Sequence, residues 1–527
     1  MSFDFIEALR SSLAQYSDKV CAVDLAVLGS GNVRELTYGE LEKRALNLAV
    51  NLQRCFFQTS HSHRAVVGIV TRNCIDWLIA DLACLFAGMT SLPLPLAFSR
   101  SQAEHLADRC DGFLVDPFGQ QIIEERWSLK MPSEKVWCID NAPLEKTLLP
   151  VPGVDHDWTC KIIHTSGTTS RPKGVCLRRS AISQVLASLR KEMPSSVHRN
   201  YLSLVPLSLL LEQITGAYLP LLSGGTIKFL PQSEMLLGES RASPARLLEW
   251  ILHLQPSALT VPPVMINHFY EKLSCNDADG KRLARYLRSS VHITCGGAAV
   301  SVDVLNALSQ RGISVFQGYG LSENTSVVSM NTIEQQRIGS VGKPLPHVQV
   351  RIGVDHTIEI KSSSLFCGYS GKDPSSCVMT RDGWMDTGDL GELDSEGFLY
   401  VHGRKKNIIC LPSGRNVSPE QIELEYRQYP GVHDAVVFLD EHHRLIGLLC
   451  LKNMPDRAEL IAWSARCFSD FERPDRLWLV SLDEPKLKEL YTVTGRPKRV
   501  EIADAYAEKF PINQLASLSH DLILLSV

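Results

Sequence analysis

Short apolar runs of strand length alternate with helix-forming stretches along most of this chain, and that order restricts it to one class of fold. Residues 65–70 are continuously apolar. A helical stretch runs from Cys74 to Ala87, Gly88 stops it, and residues 91–96 are the next apolar run. Apolar strands separated by helices predict parallel strands buried on both faces in a doubly wound α/β layer. The alternation recurs with strands expected at residues 161–164, 202–205, 258–261, 291–294 and 315–316. Ahead of the first strand, Thr37 is placed to cap a helix whose apolar face carries Leu41, Ala45, Leu48 and Leu52. Several strand ends run directly into loops rich in glycine and small residues, where open α/β sheets place ligands. After Ser340 the pattern changes to short alternating strands at 348–352, 357–360 and 398–402, a β-rich subdomain. Past Gly403 a smaller α+β unit begins, with a helix at 419–427 and strands at 435–439 and 445–451. The expected organisation is a large N-terminal domain over residues 1–403, a small mobile C-terminal domain over 404–510, and a tail, polar then apolar, over 511–527.

Composition removes several function classes. A net charge of −4 gives no electrostatic reason to expect nucleic acid as a partner. The fifteen cysteines contain no C-x-x-C pair and read as reduced thiols. Asp440-Glu441-His442-His443 reads as an exposed turn rather than a metal site. The apolar run 77–98 is interrupted by Asp81 and broken by Pro93 and Pro95, so it reads as a buried helix entering a strand and not as a transmembrane segment. Residues 1–14 lack the order of a signal peptide. The expected home is the cytoplasm.

The strongest chemical signal follows the strand at 161–164: Thr165-Ser166-Gly167-Thr168-Thr169-Ser170-Arg171-Pro172-Lys173-Gly174. Small hydroxyl residues and glycine let backbone N–H groups approach phosphate oxygens, the hydroxyls add donors, and Lys173 adds a positive charge. The spacing is not that of a Walker A loop.

This loop resembles the phosphate loop T-S-G-T-T-G-x-P-K-G of the adenylate-forming superfamily, which includes acyl-CoA synthetases, firefly luciferase and peptide-synthetase adenylation domains. The likeness is closest to long-chain fatty acyl-CoA synthetases. Ser170 replaces a family glycine, and His164 stands where an aromatic residue is common. Further motifs follow in family order. Gly296-Gly297-Ala298 resembles the segment lying along the adenine ring. Gln317-Gly318-Tyr319-Gly320-Leu321-Ser322-Glu323 resembles the Y-G-x-T-E motif. That resemblance implies that Tyr319 stacks on adenine, Ser322 contacts phosphate or the acyl carboxylate, and Glu323 helps to hold Mg²⁺. Taken alone, Tyr319 reads equally as a core aromatic and Glu323 as a helix-start charge. Thr387-Gly388-Asp389 resembles the motif whose carboxylate, here Asp389, holds the ribose. Gly403-Arg404-Lys405-Lys406 resembles the hinge, implying that Arg404 reaches ribose or phosphate and that Lys406 is the pivot. Gly414, Asn416, Pro419, Ile422 and Glu423 match a stretch beside the pantetheine tunnel of thioester-forming relatives. The resemblance implies ATP, Mg²⁺ and coenzyme A, or a phosphopantetheinyl carrier protein, as the cosubstrates of a small-molecule carboxylic acid.

One departure stands out. The family's last motif carries a catalytic lysine, but here Thr492-Val493-Thr494-Gly495-Arg496-Pro497-Lys498-Arg499 places Arg496 at that position. Arg and Lys differ in reach and geometry. Three readings stay open: Arg496 takes the role, Lys498 reaches in after a loop shift set by Pro497, or adenylation is impaired. The first two fit the intact ATP-side motifs better. Residues 205–213 resemble L-P-L-x-H-x-x-E-R of long-chain enzymes with Leu209 in place of the histidine. The run carries no charge except Glu212, which reads as structural, and its leucines read almost equally as core or as pocket. A hydrophobic acid, fatty or aryl, is expected. The sequence therefore predicts acid activation to acyl-AMP and thioester formation with coenzyme A. A ligase loading an acyl carrier protein and an impaired nucleotide-binding relative are the alternatives.

Overall fold

The apolar runs that the sequence marks as strands lie side by side in two large sheets. The computed structural model describes residues 3–26, 33–57, 64–130, 135–139, 157–165, 173–239, 242–275, 277–289, 291–371, 378–379, 382–411, 416–469, 472–491, 497–510 and 522–524. In the first sheet Val66–Val70 lies parallel to Thr90–Pro93 on one side and to Gly112–Val115 on the other. Thr90–Pro93 lies parallel to Thr159–Thr165, which turns antiparallel into Lys173–Arg178. Helix Ile75–Phe86 is buried along its whole length, which explains why its sequence is apolar on every face apart from Asp76 and Asp81. In the second sheet Thr226–Phe229, Asn200–Ser203, Ala258–Val261, His292–Cys295 and Val315–Leu321 are parallel in that order. Val315–Leu321 then turns antiparallel into Ser326–Met330. Both sheets thus change from parallel to antiparallel at the strands that carry the candidate chemistry.

The local signals act as expected. Thr37 and Glu40 bond reciprocally before helix Tyr38–Phe57: Thr37 Oγ1 accepts from the Glu40 N–H at 3.2 Å, and the Glu40 carboxylate accepts from the Thr37 N–H at 2.9 Å. The strand at 202–205 falls two residues earlier, at Asn200–Ser203. A single helical turn, Leu210–Glu212, comes after it and runs into a π-helix, Gln213–Tyr218.

The β-rich region is a five-stranded antiparallel sheet in which Val348–Ile352, Thr357–Ser362 and Met385–Leu393 are consecutive and Leu399–Arg404 adds to Met385–Leu393. The small C-terminal unit lies beyond it in the chain. Its sheet orders Val432–Leu439, Leu445–Leu451, Arg476–Ser481 and Leu522–Leu524. The apolar end of the tail is the last of these strands, and Ile523 enters the same core as Leu449 and Leu477. The fold is α/β, with large N-terminal and small C-terminal units.

Asp81, which interrupts the apolar run of its helix, has a partner. Its carboxylate pairs with the Lys161 ammonium of strand Thr159–Thr165, and both side chains are at most 1% exposed. Tyr218 of the π-helix donates to Asp81 Oδ2 at 2.6 Å, and Ser91 donates to Oδ1 at 3.1 Å. The ammonium also lies over the rings of Trp77 and Tyr218. Removing one member leaves an uncompensated buried charge, so Lys161→Met is expected to cost about 3–5 kcal/mol. Urea unfolding followed by tryptophan fluorescence measures this; a midpoint equal to that of the unaltered chain would refute it.

Candidate active site

The site begins where Val315–Leu321 leaves its sheet. Cys295 and Gln317 are register partners, so Gly296 and Gly318 lie side by side just beyond them. A Cβ built on Gly296 would lie 3.6 Å from the Gly318 carbonyl and 4.0 Å from Leu211 Cδ2. Gly297 and Ala298 are exposed, so this edge presents backbone to an open face. At Gly320 the return strand passes so close that a Cβ would sit 1.6 Å from the Ser326 carbonyl oxygen. The turn behind it is tight enough to hold Thr325 at φ +53° and Ser326 at φ +85°.

Tyr319, on this strand, donates its hydroxyl to Asp389 Oδ2 at 2.6 Å. Arg404 Nε lies 2.8 Å from Asp389 Oδ1. Asp389 belongs to Met385–Leu393, and Arg404 is its register partner on Leu399–Arg404. Three residues from separate sequence motifs therefore meet at one carboxylate, on a residue that is 4% exposed. Burial and the Asp389 charge push the Tyr319 phenol well above its usual range, so it stays a donor. Each carboxylate oxygen can accept more than one hydrogen bond. A carboxylate of this kind is a chemically suitable acceptor for hydroxyl groups of a ligand.

A second cluster lies where the other sheet meets the return turn of this one. Lys173 opens strand Lys173–Arg178, opposite the Thr165 backbone. Glu323 sits on the short turn Ser322–Asn324, beside the half-buried Ser322. Tyr369, on Gly368–Ser370, joins the two: its hydroxyl donates to Glu323 Oε1 at 2.7 Å, and its ring centroid lies 5.5 Å from Lys173 Nζ. No motif marks Tyr369 in the sequence, because a Gly-Tyr pair in a three-residue strand carries no local chemical signal.

The remaining candidates fall elsewhere. Ser166, Gly167, Thr168, Thr169 and Arg496 lie outside the described residues, as does Gly414. Lys406 is exposed on the turn Lys405–Asn407, where Lys405 pairs with Asp355 and Asn407 donates to Glu420 at 2.6 Å. Lys498 is held within the small unit, donating through Nζ to the Glu489 carbonyl at 2.9 Å and through its N–H to Leu490. No contact among the described residues joins it to Glu323 or Asp389. Glu423 is buried between Arg499, at 2.6 Å, and the Val437 N–H. Burial raises its carboxyl to about 7 although Arg499 opposes the shift. His442 and His443 lie on a tight exposed turn around Asp440.

The leucine-rich segment divides. Leu207 and Leu210 are buried in the core, while Leu209 and Leu211 are half-buried, and Leu211 reaches toward Gly296. Glu212 points away from them. It is fully buried and accepts from Tyr201 at 2.9 Å and Ser203 at 2.7 Å, and burial raises its carboxyl to about 8. An unfolded glutamate titrates near ~4.3. The folded state therefore holds this proton more tightly, and stability falls as pH rises from the unfolded value through about 8. In Glu212→Gln that slope disappears. The stability advantage of the unaltered chain over this variant is expected to shrink between roughly pH 5 and pH 8.5 in denaturant titrations. A constant difference would mean that Glu212 is ionised throughout.

Known proteins resemble this chain over most of its length. A family model described as AMP-binding enzyme matches residues 9–361. The long-chain-fatty-acid–CoA ligase FadD15 of Mycobacterium tuberculosis (strain ATCC 25618 / H37Rv) is 25% identical over 440 residues, covering 72% of this chain and 71% of that protein. The feruloyl-CoA synthase of Amycolatopsis sp is 26% identical over 419 residues, covering 76% and 80%. Among solved structures, the anthranilate CoA ligase AuaEII in complex with anthranoyl-AMP has the same fold, with a TM-score of 0.78 at 18% identity over 97% of this chain and 99% of that one. The Bacillus subtilis o-succinylbenzoate coenzyme A synthetase in complex with ATP and magnesium ion gives 0.72 at 21% identity, over 94% and 98%.

Proposed function

The chain belongs to the AMP-binding enzyme family, and from that premise we propose that it uses ATP to activate a hydrophobic carboxylic acid as an acyl-AMP and then transfers the acyl group to the thiol of coenzyme A. The observation that carries this reading is the convergence of Tyr319, Asp389 and Arg404 beside the open glycine edge, with Lys173 and Glu323 gathered by Tyr369. The first cluster suits a nucleoside: a bare backbone edge for a flat base, an aromatic beside it, and a carboxylate for ribose hydroxyls. The second suits a polyphosphate, with a cation on one sheet and a lone carboxylate facing it. The relatives named as fatty-acid and feruloyl-CoA ligases support an acid–thiol ligase acting on fatty or aryl acids.

In the first step a carboxylate oxygen of the acid attacks the α-phosphorus of ATP, and pyrophosphate leaves. Lys173 and the loop Thr165, Ser166, Gly167, Thr168 and Thr169 would hold the phosphates, and Ser322 would contact the α-phosphate or the acid. Gly296, Gly297, Ala298, Gly318 and Gly320 would line the base, and Arg404 would add charge at the ribose. Only Tyr369 donates to the Glu323 carboxylate among the described residues. A single carboxylate with spare acceptor capacity fits Mg²⁺, which keeps waters and takes its other oxygens from substrate phosphates. Mg²⁺ held by Glu323 would neutralise charge that builds on those phosphates. In the second step the thiol attacks the acyl carbonyl and AMP leaves. The small unit, residues 404–510, would turn about Lys406 between the steps. A phosphopantetheinyl carrier protein as acceptor is the second reading, since the same stretch around Ile422 serves either thiol. Fourteen free cysteines among the described residues favour a reducing compartment, the cytoplasm.

The catalytic cation would be Arg496 and not Lys498. Arg496 stands at the family's lysine position in the sequence, whereas Lys498, next to the Pro497 that bridges to Tyr491, already gives its ammonium to the Glu489 carbonyl. No helix among the described residues is long and apolar enough to cross a membrane. Pyrophosphate release, measured with a panel of fatty and aryl acids with and without coenzyme A, tests the whole reading. Turnover with one acid class and stimulation by coenzyme A is the expected result; ATP binding without turnover would overturn it. Arg496→Ala is expected to lower the rate about 10²–10³-fold, as losing one charge-stabilising group does, whereas Lys498→Ala retains it. The reverse outcome would reassign the role.

A further inference from the structure

Lys173 and Glu323 face the same proposed phosphate site with opposite charges, yet no ion pair joins them among the described residues. The phenol of Tyr369 engages both. Its hydroxyl donates to Glu323 Oε1 at 2.7 Å, and Lys173 Nζ lies 5.5 Å from its ring centroid. A bare lysine and glutamate so placed would tend to collapse onto each other, which would occupy both groups before any ligand arrived. An aromatic ring prevents this, because its face attracts the ammonium while its hydroxyl satisfies the carboxylate.

The ring is itself held firmly. Tyr369 pairs in register with Val175, two residues after Lys173 on the same strand. The Phe366 ring meets the Tyr369 ring edge-on at 4.9 Å, and the Phe366 N–H donates to the Glu323 carbonyl at 2.8 Å. Arg109 donates to the Ser370 carbonyl at 2.7 Å. The segment from Phe366 to Ser370 thus grips Glu323 by backbone and by side chain, and it is sewn to the strand that bears Lys173. Glu323 comes from the second large sheet's return turn and Lys173 from the first sheet, and this segment bonds to both.

We infer that Tyr369 is a positioning residue that holds Glu323 in the rotamer required for a divalent cation and keeps Lys173 from neutralising it. The inference rests on the reading of Glu323 as the Mg²⁺ carboxylate, and the test separates the two. Mn²⁺ is titrated by EPR into the full chain saturated with ATP, for the unaltered protein, Tyr369→Phe, Glu323→Gln and the double variant. Circular dichroism checks that each is folded, and ATP binding is measured in parallel with EDTA present.

Tyr369→Phe keeps the ring and loses the hydroxyl. It is expected to weaken Mn²⁺ binding about 10-fold, as loss of a hydrogen bond to a metal ligand does, and to leave ATP binding in EDTA unchanged. In the Glu323→Gln background the same change is expected to add less than about 2-fold, because the carboxylate that the hydroxyl orients is gone. If Glu323→Gln weakens Mn²⁺ binding and Tyr369→Phe does not, the positioning role is overturned while the assignment of Glu323 stands. If Glu323→Gln leaves Mn²⁺ binding unchanged, the assignment itself falls and the inference falls with it. If Tyr369→Phe acts equally in both backgrounds, the hydroxyl works through something other than Glu323 and the inference is again overturned.

Discussion

The buried pair of Lys161 and Asp81 fixes the frame on which the rest of the molecule is arranged. Taking two charges out of water is costly, and an apolar pair of similar volume would often be the more stable choice. The pair is tolerable because its neighbours satisfy it: Ser91 and Tyr218 donate to the carboxylate, and two aromatic faces cover the ammonium. The consequence is specificity of register. A slip of one residue along Thr159–Thr165 would carry Lys161 to the opposite face of its sheet and leave Asp81 uncompensated. Because Tyr218 belongs to the second large sheet's helical layer and Asp81 to the first sheet's, the same group also fixes how the two layers meet. The strand end at Thr165 and its return at Lys173 inherit that register.

Asp389 repeats the logic at smaller scale. It is nearly buried, and its two oxygens are approached by groups of different kind, a neutral phenol and a guanidinium. The phenol stays protonated because burial and the carboxylate both disfavour its anion. Arg404 is the last residue of its strand, and the turn Lys405–Asn407 that leads to the small unit starts directly after it. A change in what Asp389 holds is therefore felt one residue from the start of that turn.

The sequence carried much of this and missed the rest for identifiable reasons. Runs such as 65–70 and 258–261 were legible because strands buried on both faces are apolar throughout, and the structure places them at Val66–Val70 and Ala258–Val261. Thr37 was legible as a cap because capping is local. The π-helix Gln213–Tyr218 was not, since a single π-turn inside a buried apolar helical stretch leaves no mark on the spacing of its residues. The fourth strand of the small sheet, Leu522–Leu524, reads from sequence only as an apolar tail, because its partner Arg476–Ser481 is remote along the chain. Tyr369 escaped for the same reason: its meaning lies in which two strands it bridges. Lys498, weighed in the sequence beside Arg496, donates to the Glu489 carbonyl of the 3-10 helix Pro485–Leu490, a contact that no residue pattern signals.

Glu212 bears on the choice of acid. It is the sole carboxyl group in the segment 205–213, and a site for an amino acid would need such a group turned toward the substrate's ammonium. Here it turns the other way, into the core, where Tyr201 and Ser203 hold it and burial raises its carboxyl to about 8. A group that keeps its proton at neutral pH sets no negative charge behind Leu209 and Leu211. Those two leucines, left half-exposed while Leu207 and Leu210 complete the core, present an apolar surface with Leu211 beside Gly296. An ammonium on that surface would lose its hydration without gaining a partner. Aliphatic or aryl carbon would lose nothing there, which is the physical reason that a hydrophobic acid fits this segment better than an amino acid.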